Sequence, residues 1–394
     1  MIIIAELNHT KQAHIQYNAS ILSIFLRIVR FGKVCFVADR YHQEYILTTL
    51  SREQAAVNNL TTRNVKVSYS NHINRLYWIP RITFEWWNTL RVMQKARKAN
   101  APLVFFCSMF PTSIYFLNTI LRRFFPDQKI IITLHGELEL LKEKAGGVLQ
   151  KLLLRGLLKK HNNTHYLVLG DSIKHNLLNT VPINQEQILT LIHPYFYSRS
   201  PKEQVTAGKD RPIRLAAIGL MAVYKKSHLI YRLAETLKEK VINNKIEFTI
   251  VGSLHKSILP YVNEWVKSDK SEELLEREEF EKRINQIDYA IYFYDNSYYQ
   301  LCSSGAIFDA VNFEKPIISL RNDYFSEIFD KAGAIGYLCD SLEEMEEMIV
   351  RILRAGDLQY NTFVENMKAF KRNFSNEALG QEFARQLTER EIFV

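Results

Sequence analysis

The sequence predicts an α/β chain built from two doubly wound domains in tandem, and three observations carry that prediction. Short apolar runs alternate with longer stretches of helical periodicity from the first residues to about position 355. Several of the runs are apolar throughout, as expected of parallel strands covered on both faces. The alternation halts once, at a polar connector near residue 200, and then restarts.

In the first half, Ile2–Leu7, Lys33–Ala38, Val65–Tyr69, Leu103–Cys107, Lys129–Leu134 and Tyr166–Leu169 read as strands. Helical stretches separate them at 16–31, 42–58, 84–99, 111–124, 147–160 and 171–178. The connector runs through Ser198, Ser200, Pro201 and Lys202 to Arg211 and Pro212. The second half continues with strand Ile213–Gly219, helix 227–240, strand Ile246–Gly252, helices 254–266 and 272–285 and strand Tyr289–Tyr294. A short helix opening at Ser304, strand Ile317–Leu320, helices after 323, strand Ile335–Cys339 and an acidic helix at 341–354 complete it. The expected domains are 1–197 and 213–375, joined by a linker at 198–212, with 376–394 as a C-terminal helix that either caps the second domain or crosses back to the first. Two such domains have a natural active site in the cleft between them, faced by the carboxyl ends of both sets of strands.

Hydrophobic residues make up 47% of the chain and charged residues 24%, which excludes a largely disordered protein. Lysine and arginine number 51 against 42 acidic residues, a net charge of +9 that favours an anionic partner. Nucleotide phosphates and acidic lipid headgroups both qualify; nucleic acid is not expected, because no recognised module accompanies the charge. Cys35, Cys107, Cys302 and Cys339 match no zinc or thioredoxin spacing and suit a reducing cytoplasm. The opening Met-Ile-Ile-Ile-Ala-Glu-Leu lacks the basic region of a signal peptide, and no apolar run reaches the ~18 residues of a membrane span. The expectation is a cytoplasmic chain, soluble or peripheral on the inner face of a membrane.

Residues 298–316 hold the first functional candidate. A loop ends at Ser303, a helix is expected from Ser304 and Gly305, and Asp309 lies one turn on, on the same face. Unpaired N–H groups at a helix start can seat a phosphate, and a carboxylate behind them can hold hydroxyls. An ordinary capped helix packing Ile307, Ala310 and Val311 fits the same residues. Lys225 and Lys226 form a second candidate: they stand before a helix whose expected N-cap is Ser227, where their charge opposes the helix dipole unless an anion is present. A solvated lysine pair is the plainer alternative.

In order, the strand ending at Gly219, Lys-Lys-Ser, Phe-Thr-Ile-Val-Gly, Ile-Asp-Tyr-Ala-Ile-Tyr-Phe-Tyr, Ser-Ser-Gly-Ala-Ile-Phe-Asp-Ala-Val and Lys-Pro-Ile-Ile resemble GT-B glycosyltransferases, particularly family four and its relatives. The resemblance covers about 211–355 and is architectural over the first 195 residues. It implies two Rossmann-like domains facing a central cleft, an acceptor side at 1–197 and a nucleotide-sugar side at 213–375. It also implies that Lys226 contacts the donor diphosphate and that Asp309 holds the ribose in place of the second glutamate of a paired motif; Lys225, Gly219 and the backbone of Ser303, Ser304 and Gly305 are the further donor candidates that the residues themselves suggest. Two positions depart from the family: Leu301 stands where the first glutamate belongs, and Leu220 follows Gly219 where an arginine is usual. The anomeric outcome therefore stays open.

On the acceptor side, Ile130–Leu134 delivers His135, Gly136 and Glu137 at a strand's carboxyl end. The resemblance implies that His135 lies beside the transferred sugar; Glu137 is a candidate base if the reaction inverts, and His9 and His14 follow the first strand. The catalytic candidates are thus His135, Glu137 and His14. No Asp-x-Asp sequence and no His/Cys cluster occurs, so no metal and no cofactor is expected beyond a donor of the UDP- or GDP-sugar type. Trp86, Trp87, Arg91, Lys95, Arg97 and Lys98, with Tyr115, Phe116, Arg122 and Arg123, suit an anionic membrane surface holding a lipid-linked acceptor, or equally a buried face with a solvated basic edge. The expected activity is metal-independent, hexosyl-type glycosyl transfer to a glycan or lipid-linked hydroxyl. A nucleotide-sugar epimerase and a catalytically silent GT-B scaffold are the alternatives.

Overall fold

The computed structural model describes residues 1–29, 32–52, 55, 57–68, 78–143, 146–197, 211–269, 271–273 and 275–392. Most of the expected linker, 198–210, lies outside them, as does Tyr69 of the expected third strand. The chain divides into two compact units, one comprising 1–196, 301–303 and 374–394, the other 197–300 and 304–373.

In the first unit, β1 (Ile2–Glu6), β2 (Val34–Ala38), β3 (Leu60–Asn64), β4 (Val104–Ser108), β5 (Ile130–Thr133), β6 (Thr164–Val168) and β7 (Ile188–Thr190) form one parallel sheet ordered β3-β2-β1-β4-β5-β6-β7. Every residue of β1, β2, β4, β5 and β6 is buried, which is why these strands read as apolar runs. The strand expected at Val65–Tyr69 lies earlier, at Leu60–Asn64. This edge strand is exposed along most of its length, and its threonines supply β-branched side chains without an apolar signature. The intervening helices are α1 (Ile15–Ile28), α2 (Arg40–Arg52), α3 (Trp78–Lys98), α4 (Pro111–Thr119), α5 (Val148–Leu157) and α6 (Asp171–Thr180).

The second unit holds β8 (Ile213–Met221), β9 (Ile246–Leu254), β10 (Val266–Lys267), β11 (Tyr289–Tyr292), β12 (Ile317–Leu320) and β13 (Gly336–Cys339), all parallel and ordered β10-β9-β8-β11-β12-β13. Its helices are α7 (Leu229–Thr236), α8 (Lys238–Ile242), α9 (Arg277–Asn285), α10 (Ala306–Asn312), α11 (Asp323–Ala332), α12 (Leu342–Ala355) and α13 (Tyr360–Asn373). The helix expected at 254–266 is instead a 3-10 turn, Lys256–Tyr261, that carries Pro260 and leads to β10. Gly219 and Gly252 face each other in register, and a Cβ on Gly252 would fall 1.9 Å from the Gly219 carbonyl oxygen. The two strands can pair so closely at these glycines only without that side chain.

The last helix, α14 (Asn376–Glu389), is capped by Ser375, whose side chain accepts from the Ala378 N–H. It belongs to the first unit: buried Phe383 meets the rings of Phe25 and Phe105 at 5.7 and 6.4 Å.

Candidate functional site

In an open parallel sheet, ligands bind beyond the carboxyl ends of the strands, where the winding reverses. In the first unit that point lies between β1 and β4, and the chain concentrates buried polar groups there. Glu6, the last residue of β1, is fully buried. Its carboxylate accepts from the N–H groups of Asn8 and His9 at 2.9 and 3.0 Å, the Ser108 hydroxyl at 2.7 Å and the Asn18 amide at 3.1 Å. Burial pushes its pKa up, but the positive field of His9 and the hydrogen bonds outweigh that and hold it well below the usual carboxylate range. Because Ser108 gives its proton to Glu6, its oxygen accepts from His9 Nδ1 at 3.0 Å.

Around this carboxylate stand five imidazoles, one of them His42, whose Nε2 meets the Asn18 amide at 2.9 Å. His14, in the left-handed region at φ 58°, stacks on His9 at 3.9 Å and meets the edge of His135 at 4.8 Å. His135 follows β5 and donates from Nε2 to the Cys107 carbonyl at 2.8 Å, leaving Nδ1 as the acceptor of the neutral ring. Tyr17 lies edge-on to His135 at 4.9 Å and 5.5 Å from His193, with its hydroxyl bonded to Thr133 at 2.6 Å. Burial lowers His135 and His193 to about 4, so these two rings are neutral at pH 7, whereas His14 is an exposed residue.

Glu137 accepts from the His135 N–H at 2.9 Å, and burial pushes its carboxyl up to about 7. The sequence-predicted His135, Glu137 and His14 thus meet in one cluster. A carboxyl titrating near neutrality beside neutral imidazoles can take a proton from a hydroxyl. Glu6, Asn18, Ser108, Tyr17 and His193 also belong to it and escaped the sequence reading. Glu6 had a signal, being the one charge in the apolar run that opens the chain.

The second unit reverses its winding between β8 and β11, and the donor candidates lie on the segments that follow these strands. After β8, a 3-10 turn at Val223–Lys225 ends on Lys226 in the left-handed region, φ 55°. The expected Ser227 cap is absent: α7 starts two residues later, and His228 occupies the capping position without a side-chain bond. Lys226 Nζ pairs with Asp295, three residues beyond β11, and the Lys225 ammonium lies 5.8 Å from the Tyr294 ring centroid. The expected clash of Lys226 with a helix dipole is therefore answered inside the chain by a carboxylate.

The helix expected from Ser304 begins at Ala306 and is seven residues long; Gly305 precedes it with helical φ and ψ. Gly219 lies under this start, where an added Cβ would stand 3.7 Å from the Ala306 Cβ. Asp309 accepts from Arg277 Nη1 at 3.4 Å, and Arg277 also holds Glu281 at 2.9 Å. The predicted stretch is divided between the units: Ser303 is grouped with the first, Ser304 and Gly305 with the second. Leu301, in place of the family's glutamate, is buried in the first unit, its N–H donating to Glu139 at 2.5 Å.

Of the basic and aromatic helices, Trp86 stacks on Phe116 at 4.5 Å, and Arg122 is buried with its guanidinium donating to the carbonyls of Phe125, Pro126 and Gln128. Those two residues are structural, whereas Ile79, Trp87 and Phe124 are each more than half exposed. Among the described residues, no group of three or more His, Cys, Asp or Glu side chains is placed to hold a metal ion, and no helix is long and apolar enough to cross a membrane.

Two Rossmann-like units, each a parallel sheet of six or seven strands flanked by helices, make this a GT-B fold. Solved structures of that fold match nearly the whole chain. The lipopolysaccharide outer core galactosyltransferase WaaB, in its apo form, is 12% identical with a TM-score of 0.60 and 99% of both chains covered. A TarM variant from S. aureus, in complex with fondaparinux, alpha-GlcNAc-glycerol and UDP, is 11% identical with a TM-score of 0.62, covering 98% of this chain and 99% of that one. The N-terminal domain of Candida albicans trehalose-6-phosphate phosphatase is 9% identical with a TM-score of 0.63, covering 99% and 96%. No protein-family model matches the chain, and no curated protein sequence does.

Proposed function

We propose that this chain is a glycosyltransferase that moves a hexosyl-type group from a UDP- or GDP-type sugar to a hydroxyl of a glycan or lipid-linked acceptor, in surface polysaccharide or glycoconjugate synthesis. The observation that carries the reading is the fold likeness across both units to a galactosyltransferase and to a structure that holds UDP. In this reading Lys226, Lys225 and the backbone N–H groups of Ser303, Ser304 and Gly305 take the diphosphate, with Gly219 leaving room beside them. Asp309 takes the ribose hydroxyls. Fixed positive charge, rather than a metal ion, then stabilises the leaving diphosphate.

The acceptor hydroxyl is assigned to the first unit, where Glu137 is the base of an inverting transfer and His135 and His14 shape the polar wall around it. A base with a pKa near the working pH is the efficient choice, because it is substantially ionised and still able to receive a proton. An anionic membrane surface suits the same unit. Residues 1–196 hold 24 Lys and Arg against 11 Asp and Glu, and exposed Trp87 shares α3 with exposed Arg91 and Lys98.

A silent GT-B scaffold is the second reading, favoured by Leu301, an apolar side chain buried in the first unit at the position where the resemblance implies a carboxylate. Thermal-shift screening of UDP- and GDP-sugars tests binding, since a ligand of the native state raises its melting temperature. A shift lost in Lys226→Ala and Asp309→Ala, with nucleoside diphosphate released when acceptor is added, is the expected result. Binding without release toward any acceptor would favour the scaffold, and no binding at all would end the glycosyltransferase reading.

A further inference from the structure

Lys226 is presented by a fixed turn and already carries an anion. Its own N–H donates to the Val223 carbonyl at 2.8 Å, and the Ser227 N–H reaches back to Ala222 at 3.2 Å, so the loop conformation does not depend on a ligand. The ammonium ends on the Asp295 carboxylate, which arrives from the other strand of the switch point. Asp295 is itself held, with its Oδ1 accepting from the Ser297 N–H at 3.0 Å and the Ser297 hydroxyl at 2.5 Å. The two side chains remain 37% and 29% exposed, so solvent and solutes reach the pair.

We propose that Asp295 is the internal counter-ion of the Lys226 anion site, which a diphosphate must displace in order to bind. The proposal rests on the assignment of Lys226 to the donor diphosphate. An ion pair exposed by about a third is weak, so the carboxylate can be exchanged, yet it neutralises the lysine and repels any anion that approaches. Inorganic phosphate gains little over the carboxylate that it replaces. A diphosphate brings more anionic oxygen and can engage Lys225 as well, so the pair selects for diphosphates. Burial raises the Asp295 pKa, but Lys226 and Ser297 bring it below the ordinary value, which keeps the counter-ion charged at neutral pH.

The test is calorimetric titration with pyrophosphate, UDP and inorganic phosphate at low salt, on the wild type, Asp295→Asn, Lys226→Ala and the double variant. Asparagine keeps an acceptor oxygen for the Ser297 N–H, and an unchanged melting temperature checks that the turn survives. Asp295→Asn is expected to tighten pyrophosphate and UDP roughly threefold to tenfold and to narrow the gap between phosphate and pyrophosphate. Lys226→Ala is expected to weaken both diphosphates, and the double variant to match it. Unchanged or weaker binding by Asp295→Asn while Lys226→Ala still weakens it overturns the counter-ion and leaves the donor site standing. Equal binding by the wild type and Lys226→Ala overturns both, as does failure of both the wild type and Asp295→Asn to bind any probe.

Discussion

Glu137 is pulled two ways: burial favours its protonated form, while the His135 N–H favours its carboxylate. Burial wins, and the group titrates at about 7. If it is the base, transfer activity rises with pH through about 7 as the carboxylate forms. Glu137→Gln should lower kcat by about 10²- to 10⁴-fold and remove that limb of the pH profile, with KM for the donor little changed. A variant that keeps the wild-type profile would move the base elsewhere in the cluster. His135 has a different task, because its Nε2 proton is committed to Cys107 and its depressed pKa keeps the ring neutral.

Strand ends and helix packing set where those residues lie. The Gly219–Gly252 pair closes the carboxyl ends of β8 and β9 just before the Lys226 turn, at φ 96° and 155°. Gly252→Ala forces a Cβ into a backbone oxygen, so the strands must separate; urea denaturation should show a loss of about 3 kcal/mol or more, with weaker UDP binding alongside. Helix α14 is the corresponding test in the first unit. Phe383 is fully buried against Phe25 and Phe105, and Phe383→Ala should lower stability by about 3–5 kcal/mol through the cavity that it leaves. A loss under about 1 kcal/mol would mean that α14 is not part of that core.

The balance of buried titratable groups gives the whole molecule a pH optimum. His135, His165 and His193 are lowered to about 4, chiefly by burial. Groups whose folded pKa is depressed bind fewer protons in the native state, so their contribution is whole above 6.5 and is lost as the pH falls toward 4. Glu85 and Glu137, raised by burial to about 7, act oppositely: stability declines as the pH climbs from 4.5 to 7. The imidazoles outnumber the two carboxyls, so the melting temperature should rise from pH 4 to about 6.5 and then level or fall. A temperature that falls steadily from pH 4 upward would contradict the neutral-imidazole core.

The parallel sheets were legible because a strand buried on both faces must be apolar along its whole length, and that pattern is local. Edge strand β3 was expected too late in the chain and the turn before β10 was read as a helix, because neither element needs such a run. Of the polar groups, His135, Glu137 and Lys226 could be named because each follows a strand, which places it at the working end of a sheet. Their partners could not. Glu6 meets Ser108 across 102 residues and Lys226 meets Asp295 across 69, pairings made by sheet order and loop convergence, of which neighbouring residues carry no trace. The sequence by itself determined two doubly wound units and the strands that end in chemistry, since burial is written in hydrophobic periodicity. Only the tertiary structure decided which charges face one another, because it alone brings distant strand ends together, and with them the proton of Glu137 and the counter-ion of Lys226.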